Sequence, residues 1–175
     1  ILIFGGAGFL GRALAKSINL SKNSIYIVDT KKRIKIFRSE LHSYEVLPWD
    51  ISKPIRIKKL SVKFDRVYYF AALASGYLCE KNSKVFIKSN IMGTINIVKW
   101  AEKNKPKEII FSSSMTIYGE NKKNAKENDI INPISNYGIG KYFSERKLLT
   151  LKKLKIKIII LRFFNLYGPG QDFSN

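Results

Sequence analysis

Tyr137 and Lys141 stand four residues apart, and Ser112, Ser113 and Ser114 lie together upstream of them. On a helix, residues four apart share one face. An ammonium beside a phenol favours the phenolate, drawing the phenol pKa down from about 10 towards neutral. Tyr137 is therefore a candidate general base, with Lys141 to tune it. A Tyr–Lys pair alone is common on helices. Here a second pattern accompanies it, Gly5-Gly6-Ala7-Gly8-Phe9-Leu10-Gly11. Glycines at this spacing let a chain turn tightly and approach a phosphate with no Cβ in the way.

These residues need a scaffold, and the apolar pattern supplies one. Residues 1–4 form an apolar run ending in glycines, which predicts a buried strand. Residues 8–18 alternate at helical spacing. Further strands are predicted at 25–28, 44–47, 66–70, 108–112 and 156–161. Helices are predicted at 83–104 and within 135–154, and the Lys/Asn-rich stretch 120–128 reads as a loop. Strands alternating with helices predict an α/β fold, a doubly wound parallel sheet of Rossmann type. In such sheets ligands bind beyond the carboxyl ends of the strands, which is where the glycine turn and the serine cluster both fall.

Asp29 ends the second predicted strand, 18 residues after Gly11. A carboxylate there accepts hydrogen bonds from a ribose 2′-hydroxyl and repels a 2′-phosphate. This favours NAD over NADP, although Lys31, Lys32 and Arg33 pull the other way. The helix N-terminus after the turn offers N–H groups and a positive dipole end to a pyrophosphate.

Composition narrows the alternatives. At 45% hydrophobic residues the 175-residue chain has the makings of a packed domain. One cysteine, Cys79, excludes an intrachain disulfide framework and fits a reducing, cytoplasmic setting. One histidine, His42, with no cluster of ligands around it, gives no metal site. No apolar stretch approaches the roughly 20 residues of a membrane span, and no signal peptide opens the chain. Both ends interrupt a pattern, so the chain is expected to be a truncated part of a longer protein. The net charge of +19 invites a nucleic-acid reading. However, the lysines are scattered over every segment. Ile, Lys and Asn, which share A/T-rich codons, also make up over a third of the chain. A nucleic-acid partner is accordingly not expected.

Taken together, the motifs resemble those of the extended short-chain dehydrogenase/reductases, the NAD-dependent epimerase/dehydratase family, from the first residue almost to the last. The glycine turn matches at Gly5, Gly8 and Gly11, the ribose acid at Asp29, and the Asp-Ile pair beside the adenine at Asp50 and Ile51. The run near the cofactor matches at Phe70, Ala71, Ala72 and Leu73, and the Asn-x-x-Gly-Thr motif at Asn90, Gly93 and Thr94. The Ser–Tyr–Lys triad matches at Ser114, Tyr137 and Lys141. The closing motif matches at Arg162, Asn165, Tyr167, Gly168 and Pro169. The resemblance implies cofactor contacts from these glycines, Phe9, Leu10, Asp29, Asp50, Ile51, Phe70, Ala71, Ala72, Asn90, Ser112, Tyr137, Lys141 and Phe164. It implies substrate contacts from Ser114 and Asn165.

The resemblance further implies an NAD-binding domain over residues 1–162, with 163–175 opening a substrate-binding region whose remainder is missing. It implies a homodimer at full length and a nucleotide-sugar substrate. Relatives that dehydrate or decarboxylate carry acids just after the catalytic Ser/Thr, where this chain has Met115 and Thr116. The sequence is closest in pattern to UDP-glucose 4-epimerase-like enzymes. The alternatives are a 4-keto reductase or dehydratase of the same family, or a non-catalytic NAD- or RNA-binding relative. Two departures stand out. Ala74 occupies a position where many 4-epimerases have lysine, and Tyr69 one that is often histidine.

Overall fold

The computed structural model describes residues 1–119 and 124–171. Six strands form one wholly parallel sheet: β1 (Leu2–Phe4), β2 (Tyr26–Asp29), β3 (Glu45–Pro48), β4 (Arg66–Tyr69), β5 (Glu108–Ser114) and β6 (Lys157–Phe163). Their spatial order is β3-β2-β1-β4-β5-β6. The chain winds outward from β1 to β3, returns to β4 beside β1, and winds out the other way. The direction reverses between β1 and β4, which opens a crevice at their carboxyl ends.

Alternation along the strands explains the two-sided burial. Successive side chains point to opposite faces. Leu2, Phe4, Val28, Val67 and Phe111 enter one apolar cluster, capped by Ile97 and Trp100. Ile3 and Ile27 enter the other, with Ala7, Ala15 and Leu41. The indole of Trp100 meets Phe4 edge-on at 5.5 Å, and its N–H is satisfied by the Leu60 carbonyl at 3.1 Å.

The helices are α1 (Phe9–Ser17), α2 (Lys31–Ile36), α3 (Arg38–Leu41), α4 (Gly76–Lys81), α5 (Ser83–Phe86), α6 (Gly93–Asn104) and α7 (Asn136–Leu149). The single helix expected over 83–104 is divided. A π-helical segment, Ile87–Met92, joins α5 to α6. Side-chain hydroxyls there compete for helical carbonyls. Ser89 Oγ donates to the Val85 carbonyl at 3.0 Å, and Thr94 Oγ1 donates to the Asn90 carbonyl at 2.7 Å, which loosens the regular ladder. Helices α2, α3 and α4 were not expected, because segments of four to six residues carry too little apolar periodicity to read. Strand β5 runs two residues further than expected, so Ser113 and Ser114 pair with Arg162 and Phe163 as sheet residues. The expected loop at 120–128 lies partly outside the described residues. Among the described residues no helix is long and apolar enough to cross a membrane.

Candidate active site

The glycine turn is held from below. Gly5 N–H donates to the Val28 carbonyl at 2.8 Å, and Gly8 N–H to the Gly5 carbonyl at 3.0 Å. Gly5 adopts φ +82°, and a Cβ there would sit 2.5 Å from the Ala71 nitrogen. Glycine is thus required both by the left-handed backbone and by the approach of the chain leaving β4. A Cβ on Gly11 would lie 2.4 Å from the Gly5 oxygen, so α1 packs directly on the turn. Gly8 differs: the nearest atom to its Cβ is the Gly5 oxygen at 3.1 Å, with nothing else within 4 Å. The fold itself makes little demand for glycine at position 8. Gly8 caps α1 without a side-chain hydrogen bond, and no acid occupies the first turn. Helix α1 thus begins without a side-chain cap, at the end where the helix dipole favours an anion.

Asp29 faces the same turn. Its Oδ2 accepts the Ala7 N–H at 3.0 Å and its Oδ1 the Thr30 N–H at 2.8 Å. Burial raises its pKa, and the two backbone donors and Arg33 work against that rise. The Thr30 side chain also bonds this carboxylate, and the remaining lone-pair capacity suits a further hydroxyl donor. Asp50 is exposed and accepts the Ser52 N–H at 2.9 Å. Ile51 is buried against the Cα of Gly93, and its carbonyl accepts from Asn96 Nδ2 at 2.8 Å.

Ser114, Tyr137 and Lys141 converge beyond the carboxyl end of β5. Lys141 is 4% exposed, and its ammonium donates to the Ser112 carbonyl at 2.6 Å and lies 5.6 Å from the Tyr137 ring centroid. Thr116 donates its hydroxyl to Ser114 Oγ at 3.0 Å. The Tyr137 pKa is raised, chiefly by burial, while a hydrogen bond with the Ser114 hydroxyl draws it down. This is the reverse of the direction expected from the sequence. Burial and the neighbouring Cys79 both raise it and outweigh the Ser114 hydrogen bond, while burial pushes Lys141 down to about 8.

Three layers fix this helix face. Ser135 caps α7 by accepting the Gly138 N–H. Cβ atoms on Gly138 and Gly140 would meet the Thr116 oxygen at 2.7 Å and the Phe86 ring at 2.6 Å, so α7 sits tight against both neighbours. A buried hydroxyl chain then runs from Tyr69 to Thr94 at 2.9 Å and from Thr94 to Ser144 at 2.7 Å, joining β4, α6 and α7. Tyr69, the departure noted in the sequence, has its hydroxyl satisfied inside this chain.

The match to a family model settles kinship: residues 1–175 fit the model of the NAD dependent epimerase/dehydratase family. The chain belongs to this family.

Two relatives in the family are plant enzymes. One is a bifunctional UDP-glucose 4-epimerase and UDP-xylose 4-epimerase of Pisum sativum, 30% identical, covering 98% of this chain and 53% of the pea protein. The other is UDP-glucuronic acid decarboxylase 3 of Arabidopsis thaliana, 31% identical, covering 100% of this chain and 53% of that protein. Among solved structures, the UDP-N-acetylglucosamine 4-epimerase of Methanobrevibacter ruminantium M1, in complex with UDP-N-acetylmuramic acid, superposes with a TM-score of 0.88. It is 26% identical, covering 99% of this chain and 57% of that one. The chain thus spans about half the length of the relatives it matches.

Within this epimerase/dehydratase chain, several predicted residues take defined places. Phe70, Ala71 and Ala72 follow β4 beside the glycine turn. Asn90 uses both ends of its amide on Leu73: Oδ1 accepts the N–H at 2.7 Å and Nδ2 donates to the carbonyl at 3.1 Å. Ser112 donates its hydroxyl to the Tyr69 carbonyl at 3.3 Å. Phe164 and Asn165 are exposed just past β6.

Other residues at the site were missed in the sequence. Arg12 is 4% exposed, donates to the carbonyls of Ala7 at 2.8 Å and Gly170 at 2.6 Å, and stacks 3.6 Å over Phe37. Cys79 is buried beside Tyr137 and Lys141, with its thiol on the Leu73 carbonyl at 3.5 Å. Glu145 lies beneath Lys141. Its signal was available, since it continues the four-residue spacing of Tyr137 and Lys141. Cys79 gave none, because only the fold brings α4 against α7.

Proposed function

We propose that this chain is the dinucleotide-binding part of an NAD-dependent nucleotide-sugar epimerase of the 4-epimerase type. The observation that carries the reading is the convergence of Ser114, Tyr137 and Lys141 at the carboxyl end of the sheet, the end that also bears the glycine turn. The NAD reading is supported by the glycine turn with its uncapped helix start, by the Asp29 carboxylate beside it, and by solved relatives described as complexes with NAD. A UDP-sugar substrate is supported by the relatives' names.

On this reading residues 1–162 form the NAD-binding domain and 163–175 begin the substrate-binding region. The N–H groups at the start of α1 would hold the pyrophosphate, with Gly8 leaving room for it. Asp29 would take the ribose hydroxyls. The Asp50–Ile51 segment would flank the adenine, and Lys141 would hold the nicotinamide ribose. Asn90 would act at one remove, by fixing the backbone of Leu73. NAD, when bound, would supply a reversible hydride acceptor for the sugar carbon, with no net oxidation over the cycle. Tyr137 would take the proton of the sugar hydroxyl as the carbon bearing it is oxidised to a ketone, and give it back on reduction. Ser114 shares the same oxygen. Met115 and Thr116 place no carboxylate after Ser114, which favours epimerisation over dehydration or decarboxylation.

The test uses the full-length protein with UDP-glucose and UDP-glucuronic acid, following epimer formation and carbon dioxide release separately. Epimer without carbon dioxide is expected, and Tyr137→Phe should lower turnover at least ~100-fold. Carbon dioxide as the main product would overturn the 4-epimerase type. An unchanged rate in Tyr137→Phe would remove that residue from the chemistry.

A further inference from the structure

Glu145 is a carboxylate only 2% exposed for which the proposed reaction has no use. It lies on α7 four residues beyond Lys141 and eight beyond Tyr137, on the same helix face. Ser113 Oγ donates to its Oε1 at 2.5 Å. Arg162 grips both oxygens, with Nε to Oε1 at 3.1 Å and Nη2 to Oε2 at 2.9 Å. Arg162 Nη1 in turn donates to the Tyr118 hydroxyl and the Glu127 carbonyl, each at 2.7 Å. One carboxylate therefore ties α7 to β5 at Ser113 and to β6 at Arg162. Lys141 reaches the neighbouring residue of β5, donating to the Ser112 carbonyl.

A buried ion pair is a poor device for stability alone, since well-packed apolar residues of similar volume often do as well or better. What such a pair supplies here is a fixed negative charge one helical turn from a buried ammonium. We infer that Glu145 is a positioning residue that keeps Lys141 charged and holds the serine end of β5 against α7, with Arg162 setting how much of its charge Lys141 feels. This rests on the reading of Lys141 and Tyr137 given above.

The surroundings of Lys141 bear on the sign. Tyr137 and Glu145 face it from its own helix, Cys79 from α4, and the Phe111 ring and Ser112 carbonyl from β5. Arg162 of β6 stands behind Glu145. Burial lowers the Lys141 pKa, and Cys79 and Glu145 both raise it. Burial also pushes the Cys79 thiol up to about 11, so it is uncharged where Lys141 titrates. Of the two, Glu145 is the one held in an ion pair, with Arg162.

The experiment is the pH profile of kcat in the full-length protein, on the UDP-sugar that the wild type turns over, with Lys141 setting the alkaline limb. Glu145→Gln removes the charge but keeps hydrogen-bonding capacity, and should move that limb down by about one pH unit. Arg162→Lys keeps a cation but loses the two-toothed grip. Less of the carboxylate's charge is then cancelled, so the limb should move up. Opposite shifts support the inference, since a residue that merely packs would not separate the two variants in this way. Limbs that stay at the wild-type pH in both, whatever the loss in Tm, overturn it. If Glu145→Gln does not fold, Arg162→Lys decides alone: an upward shift supports the inference and an unmoved limb overturns it. Tyr137→Phe in the same assay separates the two levels. A normal rate there defeats the catalytic reading, whereas a lost rate with unmoved limbs defeats only the role of Glu145.

Discussion

Lys141 holds a position that the fold would not choose for an ammonium. Burial takes its pKa from the ordinary 10.5 to about 8. The sign follows from linkage. Below pH 8 both folded and unfolded chains carry the charge, and the folded state bears a constant cost of about 3 kcal/mol from its lower pKa. Between pH 8 and 10.5 the unfolded chain holds the extra proton, so stability rises with pH. Above 10.5 the cost is gone. Lys141→Met removes this group. Relative to wild type it should therefore be more stable at pH 7 than at pH 10.5 by about 2–3 kcal/mol. That difference cancels packing changes, which are the same at both values. Urea titrations at the two pH values measure it. Stability curves that run parallel across this range would show that the ammonium is not strained. The same variant should lose turnover, as expected where a functional group is kept at the expense of stability.

At the scale of elements, the strand–turn–helix unit of β1 and α1 separates two uses of glycine. Gly11→Ala sets a Cβ against backbone atoms at 2.4 and 2.6 Å, which side-chain motion cannot relieve. It should cost about 1–3 kcal/mol or more. Gly8→Ala meets one oxygen at 3.1 Å with φ −74° and should cost under about 1 kcal/mol. It should nevertheless weaken NAD binding at least ~10-fold, since the new methyl stands where the pyrophosphate is expected. Denaturation and NAD titration of the two variants give the comparison, and equal losses of stability would contradict it. This unit was legible in the sequence because spacing alone encodes it: an apolar run, three glycines, then helical periodicity. The Tyr137–Lys141 face was legible for the same reason. The π-helical segment was not. It goes with Ser89 and Thr94 hydroxyls competing with the backbone, and with Asn90 reaching Leu73, 17 residues away. Arg12 and Cys79 also escaped the reading, because their partners come from segments far away in the chain. The raised pKa of Tyr137 could not be read either, since burial is a property of the assembled site.

For the molecule as a whole, charge is the dominant long-range property. With 32 Lys and Arg against 13 Asp and Glu, pairing every acid with one cation still leaves nineteen cations over. Ion pairs such as Lys16–Glu40 and Lys107–Asp65 are exposed and local, so they leave the surrounding field positive. A cleft in such a field concentrates anions. The screening length falls from about 30 Å at 0.01 M salt to about 10 Å at 0.1 M. The NAD Kd of residues 1–175 should therefore rise about threefold or more over that interval. It should change less at higher salt, where only the short-range contacts proposed for Asp29 and the α1 terminus would be left. The same titration with poly(U) addresses the rival reading. Many phosphates binding at once give a steep dependence on salt, and tight binding that survives 0.15 M would require an organised basic face. The expected result is a shallow dependence for NAD and loss of poly(U) at that salt. An NAD Kd that stays flat from 0.01 to 0.1 M would mean that the excess charge is turned away from the glycine turn and does not help to recruit the cofactor.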